Sequence, residues 1–196
     1  MLPESASSDS ALQFDIEANR KAQKWTRGEM LGRALWEVLR SPLFSWTPRP
    51  CWAWRRAVLR IFGAQVGPNV HIHPTVRIAV PWNLSICKNA SIGDGAIVYS
   101  LGRISIGRDV TVSQYVHLCA GTHDYRRADM LLLKPPINIE EGAWVCADAF
   151  VGPGVTVGSY AIVAARAVVV RDVNPWTIVA GNPAKLIRRR PKASAD

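Results

Sequence analysis

Cysteine is scarce in this chain: four residues in 196, at positions 51, 87, 119 and 146. No two lie close in sequence and no CxxC pair occurs. Neither a zinc ribbon nor a disulfide framework is therefore indicated, and reduced thiols in the cytosol are expected. Long apolar runs are also missing. The longest uncharged stretch, 149–165, has 17 residues and is broken by Gly152, Pro153, Gly154 and Gly158, so no transmembrane helix is expected. The N-terminus is polar, with acids at Glu4, Asp9 and Asp15, and shows no secretory signal pattern. Acidic residues are the scarcer charges, 15 against 24 Lys+Arg, for a net charge of +9. That surplus favours an anionic partner such as a phosphate group or a membrane surface. No recognition motif for nucleic acid accompanies it, and nucleic acid is not expected. With 48% apolar residues the chain has ordinary globular composition and length for one domain with a small appendage.

What the sequence does have is a repeat of period six. Ile, Val or Leu stands at 66, 72 and 78, then in a new phase at 86, 92 and 98, again at 106, 112 and 118, and at 139, 145, 151, 157, 163 and 169. Four residues after most of these comes a second small or β-branched residue, from Val70 to Val173, with Trp82, Gly102 and Thr122 as exceptions. Glycine often follows the first position, as at Gly67, Gly93, Gly107, Gly152 and Gly158. Three short strands per 18-residue coil satisfy this pattern. Stacked coils pair each strand with the one above and below, and aliphatic side chains form inward columns. The phases predict five coils, 66–83, 86–103, 106–123, 139–156 and 157–174, with a loop inserted at 124–138. An ordinary β-sandwich would not hold a six-residue phase over fifteen units.

The residues before 66 read as helices. Met30, Leu31, Ala34, Leu35, Val38 and Leu39 recur at helical spacing, as do Trp54, Val58 and Ile61, with the proline-rich connector 41–50 between them as a loop. The expected organisation is a flexible segment 1–26, a helical region 27–65, the solenoid 66–174 and a C-terminal extension 175–196. The two helices carry Trp36, Trp52 and Trp54 beside Arg33, Arg40, Arg55, Arg56 and Arg60. Two roles are compatible with that: a cap on the open edge of the first coil, and a basic-aromatic surface for peripheral membrane contact.

The hexads together with PWNL (81–84), SQYVHLC (113–119), THDY (122–125), GAWVCADAFVGPGVTVG (142–158) and RDVNPWTIVAGNPAKLI (171–187) resemble the hexapeptide-repeat acyltransferases, and most closely the colanic-acid-type (WcaF-like) O-acetyltransferases. The resemblance spans about 27–190. It implies a mainly β fold, a left-handed parallel β-helix with an N-terminal helical cap, assembled as a homotrimer with sites between subunits. The hand comes from the resemblance alone, since parallel crossovers are normally right-handed. It also implies a cytoplasmic acetyl-CoA-dependent O-acetyltransferase without a metal, acting on a carbohydrate acceptor of an exopolysaccharide or its precursor.

Acyl transfer to a hydroxyl needs a base, an oxyanion donor and a held thioester. Imidazole suits the first role. Four histidines are available. His71 and His73 flank inward Ile72 and so face outward, while His117 and His123 stand one hexad apart on coil three. His123 sits where the chain leaves the solenoid for the inserted loop, and THDY matches the family's catalytic histidine. By the same resemblance the N–H of Ala147 would be the oxyanion donor, Trp144 would lie near pantetheine, and the backbone at Ala164 and Ala165 would run beside it. Arg171, Lys185 and Arg188 match basic positions near the CoA phosphates. The tail KLIRRRPK is compatible with a phosphate clamp, a solvated end or a membrane contact, in that order. Acceptor-side candidates are Tyr99 on coil two, where some relatives carry an Asn that is absent here, and Asp124, Tyr125 and Arg126 on the loop. Two alternatives are a γ-carbonic-anhydrase-like metalloenzyme, disfavoured by five residues between His117 and His123 where four are required, and a non-enzymatic scaffold.

Overall fold

The structure is a computed structural model that describes residues 14–191; the first 13 residues of the segment expected to be flexible, and the last five of the C-terminal extension, lie outside it. The expected parallel β-helix is present. Three parallel sheets run along it: one through Gln65–Val66, Leu84–Ile86, Ile104–Ile106, Ile137–Ile139 and Thr156–Val157, a second through His71–Ile72, Ser91–Ile92, Thr111–Val112, Trp144–Val145 and Ile162–Val163, and a third through Arg77–Ile78, Ile97–Tyr99, His117–Cys119, Phe150–Val151 and Val168–Val169. These are five complete coils, and Thr177–Ala180 adds one strand of a sixth to the second sheet before Lys185–Arg189 folds back antiparallel to it.

Each predicted inward residue of the hexads is buried, from Val66 through Val169, as are the small residues four positions on, from Val70 through Val173. The glycine after the first position has a steric cause. A Cβ on Gly93 would stand 2.6 Å from the Gln114 backbone N, and one on Gly158 2.6 Å from that of Pro175, so the next coil leaves no room for a side chain.

The open first coil explains the arginine content of the helical region. Helices α1 (Ile16–Lys21), α2 (Arg27–Arg40) and α3 (Trp52–Ile61) precede the solenoid. Coil-one N–H groups donate to coil two, as from His71 to the Ala90 carbonyl, but its outward carbonyls have no preceding coil. Side chains take those places. Trp36 Nε1 donates to the Ile78 carbonyl at 2.7 Å, Arg55 Nε to that of Ile72 at 2.6 Å, Arg56 to that of Val70 at 3.0 Å and Arg60 Nε to that of Val66 at 2.8 Å. Trp36 and Arg55 are therefore buried, not members of a surface patch. The cap meets these carbonyls with indole and guanidinium donors, groups that donate and do not accept.

Three local expectations change. The segment up to residue 26 contains α1, capped by the Asp15 carboxylate on the Ala18 N–H and held by the Asp15 N–H on the Ala128 carbonyl at 2.8 Å. The connector after α2 opens with a wide helical turn, Ser41–Ser45, that buries Phe44 against Trp36. Pro42 can enter it because a proline at the start of a turn loses no needed N–H. Finally, the apolar residues that mark α2 in the sequence are not the ones it buries: Leu31 and Val38 are 71% and 72% exposed, and Trp36 faces inward instead.

Candidate active site

His123 lies on a short antiparallel hairpin, Thr122–His123 against Leu132–Leu133, that leaves the solenoid after the third coil. Thr122 falls at a hexad position that is buried and apolar in most other turns, but here it is polar and exposed as the chain leaves the solenoid, and 15 residues follow His123 before the phase resumes at Ile139. The His123 ring is exposed, and its Nδ1 lies 2.6 Å from the Met130 carbonyl oxygen. A carbonyl only accepts, so Nδ1 carries the proton in the neutral ring and Nε2 keeps a free lone pair. The partner that orients this ring is thus a backbone atom, for which a sequence carries no signal. Neighbouring Asp124 does not serve: its carboxylate accepts from Arg126 at 2.9 and 3.3 Å and from the Arg126 N–H at 3.1 Å, bonds that hold it below the usual carboxylate range.

The cofactor-side candidates assemble on another part of the molecule. In the second sheet the register places Trp144, Ile162, Ile178 and Arg188 in one lateral row. Trp144 and Arg188 are separated by three strand spacings, roughly 14 Å. The Trp144 indole is half-exposed and donates to Ser113 Oγ at 2.9 Å, a partner that fixes its tilt and was not anticipated. Beside this row the turns of successive coils stack. The Ala147 carbonyl accepts from the Arg166 N–H at 3.0 Å, while the Ala147 N–H has no acceptor among the described residues. Ala164 donates to the Val179 carbonyl at 2.9 Å, and Ala165 is exposed. Lys185 pairs in register with Ala180 on the same sheet. Arg171 sits apart, lining a cavity of about 190 Å³ at the C-terminal end with Asn174, Thr177 and Leu186. The contacts of His123 stay within its hairpin and do not join this row.

The remaining polar candidates divide. Tyr99 is 40% exposed and meets His117 edge-on, with ring centroids 6.5 Å apart. Its neighbour Ser100 is buried and closed to ligands, exchanging two hydrogen bonds with Val80 at 2.9 and 3.0 Å. Tyr125 and Arg126 are exposed on the loop. His117 is packed edge-on against Phe150 and burial lowers its pKa, whereas His71 stacks on Trp52 at 4.8 Å. Burial raises the thiols of Cys119 and Cys146, which keeps both in the unreactive form. Among the described residues no three His, Cys, Asp or Glu side chains gather as a metal-binding group.

No family model matches the chain. It is 39% identical over 163 residues to a protein of Escherichia coli (strain K12) named as the colanic acid biosynthesis acetyltransferase WcaF, a match covering 83% of this chain and 90% of that one. Among solved structures, a hexapeptide-repeat-containing acetyltransferase of Vibrio cholerae complexed with acetyl coenzyme A superposes with a TM-score of 0.79 at 24% identity, over 87% of this chain and 93% of that chain. A galactoside acetyltransferase in complex with coenzyme A gives 0.78 at 20% identity, over 90% and 89%. At these identities the two structures speak for the fold.

Proposed function

This chain belongs to the hexapeptide-repeat acetyltransferases of the colanic acid type, and from that membership we propose that it moves an acetyl group from acetyl-CoA to a sugar hydroxyl of an exopolysaccharide or of its lipid-linked or nucleotide-linked precursor. The observation that carries the reading is the His123 ring, pinned through Nδ1 with Nε2 free at the mouth of a projecting hairpin. In the reaction Nε2 accepts the hydroxyl proton as the sugar oxygen attacks the thioester carbonyl and the C–O bond forms. The Ala147 N–H receives the oxyanion. As the intermediate collapses, the C–S bond breaks and the imidazolium returns its proton to the departing thiolate. Trp144 packs on pantetheine beside Ala164 and Ala165, and Arg188, Lys185 and Arg171 bind the phosphates. Tyr99, Asp124, Tyr125 and Arg126 face the acceptor.

The separation of His123 from the Trp144 row within one chain supports a site shared between subunits, and membership in the family supports a homotrimer in which the hairpin of one subunit reaches the row of the next. Coenzyme A at millimolar concentration is expected to raise Tm, and Trp144→Ala to reduce that rise. Absence of any CoA stabilisation would favour a scaffold without catalysis.

The helical region adds a place of work. Its outward stripe of Met30, Leu31, Leu35 and Val38 is exposed, as are Trp46 and Trp54. Between 27 and 62 stand seven arginines, of which Arg55 is buried and Arg56 and Arg60 cap the first coil, leaving Arg27, Arg33, Arg40 and Arg49 against two acids, Glu29 and Glu37. An apolar stripe with that surplus fits an anionic lipid surface better than a second copy of itself, which would bring like charges together. No described helix is long and apolar enough to cross a membrane, so the contact is peripheral. The protein should sediment with vesicles containing anionic lipid but not with neutral ones, and Leu31→Glu with Val38→Glu should release it. Equal binding of the double variant would refute the contact.

A further inference from the structure

We propose that Asn19 is a positioning residue for His123, acting through the Met130 carbonyl; the proposal rests on the reading of His123 as the base. Met130 has a φ of +43°, a left-handed conformation that a side chain other than glycine's does not favour, so its peptide needs external support. Asn19 on α1 supplies it. Its Nδ2 lies 2.7 Å from the Asp129 carbonyl and 2.7 Å from the Met130 carbonyl. The Met130 oxygen therefore receives two donors, Asn19 Nδ2 and His123 Nδ1, which its two lone pairs can accept.

The orientation of the Asn19 amide is fixed by a separate contact. Lys24 Nζ stands 2.7 Å from Oδ1, and an ammonium only donates, so the oxygen faces Lys24 and the amide hydrogens face the hairpin. The segment is fastened on both sides of Asn19. Asp15 donates its N–H to Ala128, and Lys134 both donates to the Lys24 carbonyl at 3.1 Å and lies 3.5 Å from the Trp25 ring centroid. A strap more than 100 residues away in sequence thus holds the carbonyl that sets the tautomer and direction of the histidine. Misaiming a base by an ångström is enough to cost activity heavily.

The test uses Asn19→Asp, which keeps the shape but turns the donor into an acceptor facing two carbonyls, with Asn19→Ala as the second variant. Both should lower kcat by about 10- to 100-fold while the KM for acetyl-CoA and the CoA-induced rise in Tm stay as in the parent. Nitrogen NMR of the His123 ring should show the Nδ1–H form in the parent and a mixture in the variants, and Asn19→Gln, which keeps the amide, should recover part of the loss. An unchanged tautomer or a fully active Asn19→Asp beside an impaired His123→Ala overturns the role of Asn19 alone. Full turnover of His123→Ala removes the catalytic reading and this proposal with it.

Discussion

Replacing His123 by alanine is expected to lower kcat by about 10²- to 10⁴-fold, the range for removing a general base, or roughly 2.7–5.5 kcal/mol of barrier. The ring is exposed and contributes one hydrogen bond to the fold, to Met130, so the variant should keep its stability. It should also keep its CoA-induced rise in Tm, because the proposed cofactor contacts lie on the Trp144 row and not on the hairpin. A steady-state assay of CoA release, run beside that thermal shift, separates loss of chemistry from loss of binding. Turnover within a few-fold of the parent would end the assignment of His123 as the base.

The second large effect concerns stability. Arg55 is buried without an acidic partner, and burial lowers its pKa. Its charge is met by oxygen dipoles instead: the Ile72 carbonyl at 2.6 Å, Thr47 Oγ1 and the Pro48 carbonyl at 2.8 Å each, and the Arg49 carbonyl. One planar fork thus ties α3, the proline-rich connector and the first coil together. Arg55→Met keeps most of the stem volume but leaves several buried acceptors unmet, so we expect a loss of about 3–5 kcal/mol. The matching fall in Tm is on the order of 10 °C. Arg55→Lys should rescue little, because an ammonium cannot address four oxygens spread around a plane. Thermal unfolding of both variants checks this, and a change under 1 kcal/mol in Arg55→Met would show that water or rearrangement replaces the fork.

Much of the solenoid was legible because its determinant is periodic. A residue every six positions turns inward on the next of three faces, so Val66 and Val169 obey one rule although they stand in the first and the fifth coil. His123 was legible from its place at the mouth of the insertion and from THDY. The parts that escaped depend on non-periodic, long-range contacts. The burial of Arg55 follows from unpaired carbonyls that exist only once the first coil has formed. The outward stripe of α2 cannot be told from a core stripe by spacing, since periodicity identifies a face without saying where it points. Helix α1 did leave a trace: Asp15 at the cap, Glu17 in the first turn and Arg20 and Lys21 in the last complement the helix dipole. The segment is short and polar, and its docking rests on carbonyls of a hairpin over 100 residues away.

The guanidinium and indole groups seated on the first rung have a consequence for how the molecule behaves in a crowd. A stack of parallel rungs is, in principle, a growing template, since each terminus could recruit the matching terminus of another molecule and elongate into a fibril. Here the acceptors at the leading end are already taken by Trp36, Arg55, Arg56 and Arg60, and Lys185–Arg189 doubles back over the trailing one. Addition of a further rung is thereby disfavoured: the carbonyls of the first rung are occupied, and the second sheet ends in an antiparallel strand rich in lysine and arginine, whose charges repel a like edge.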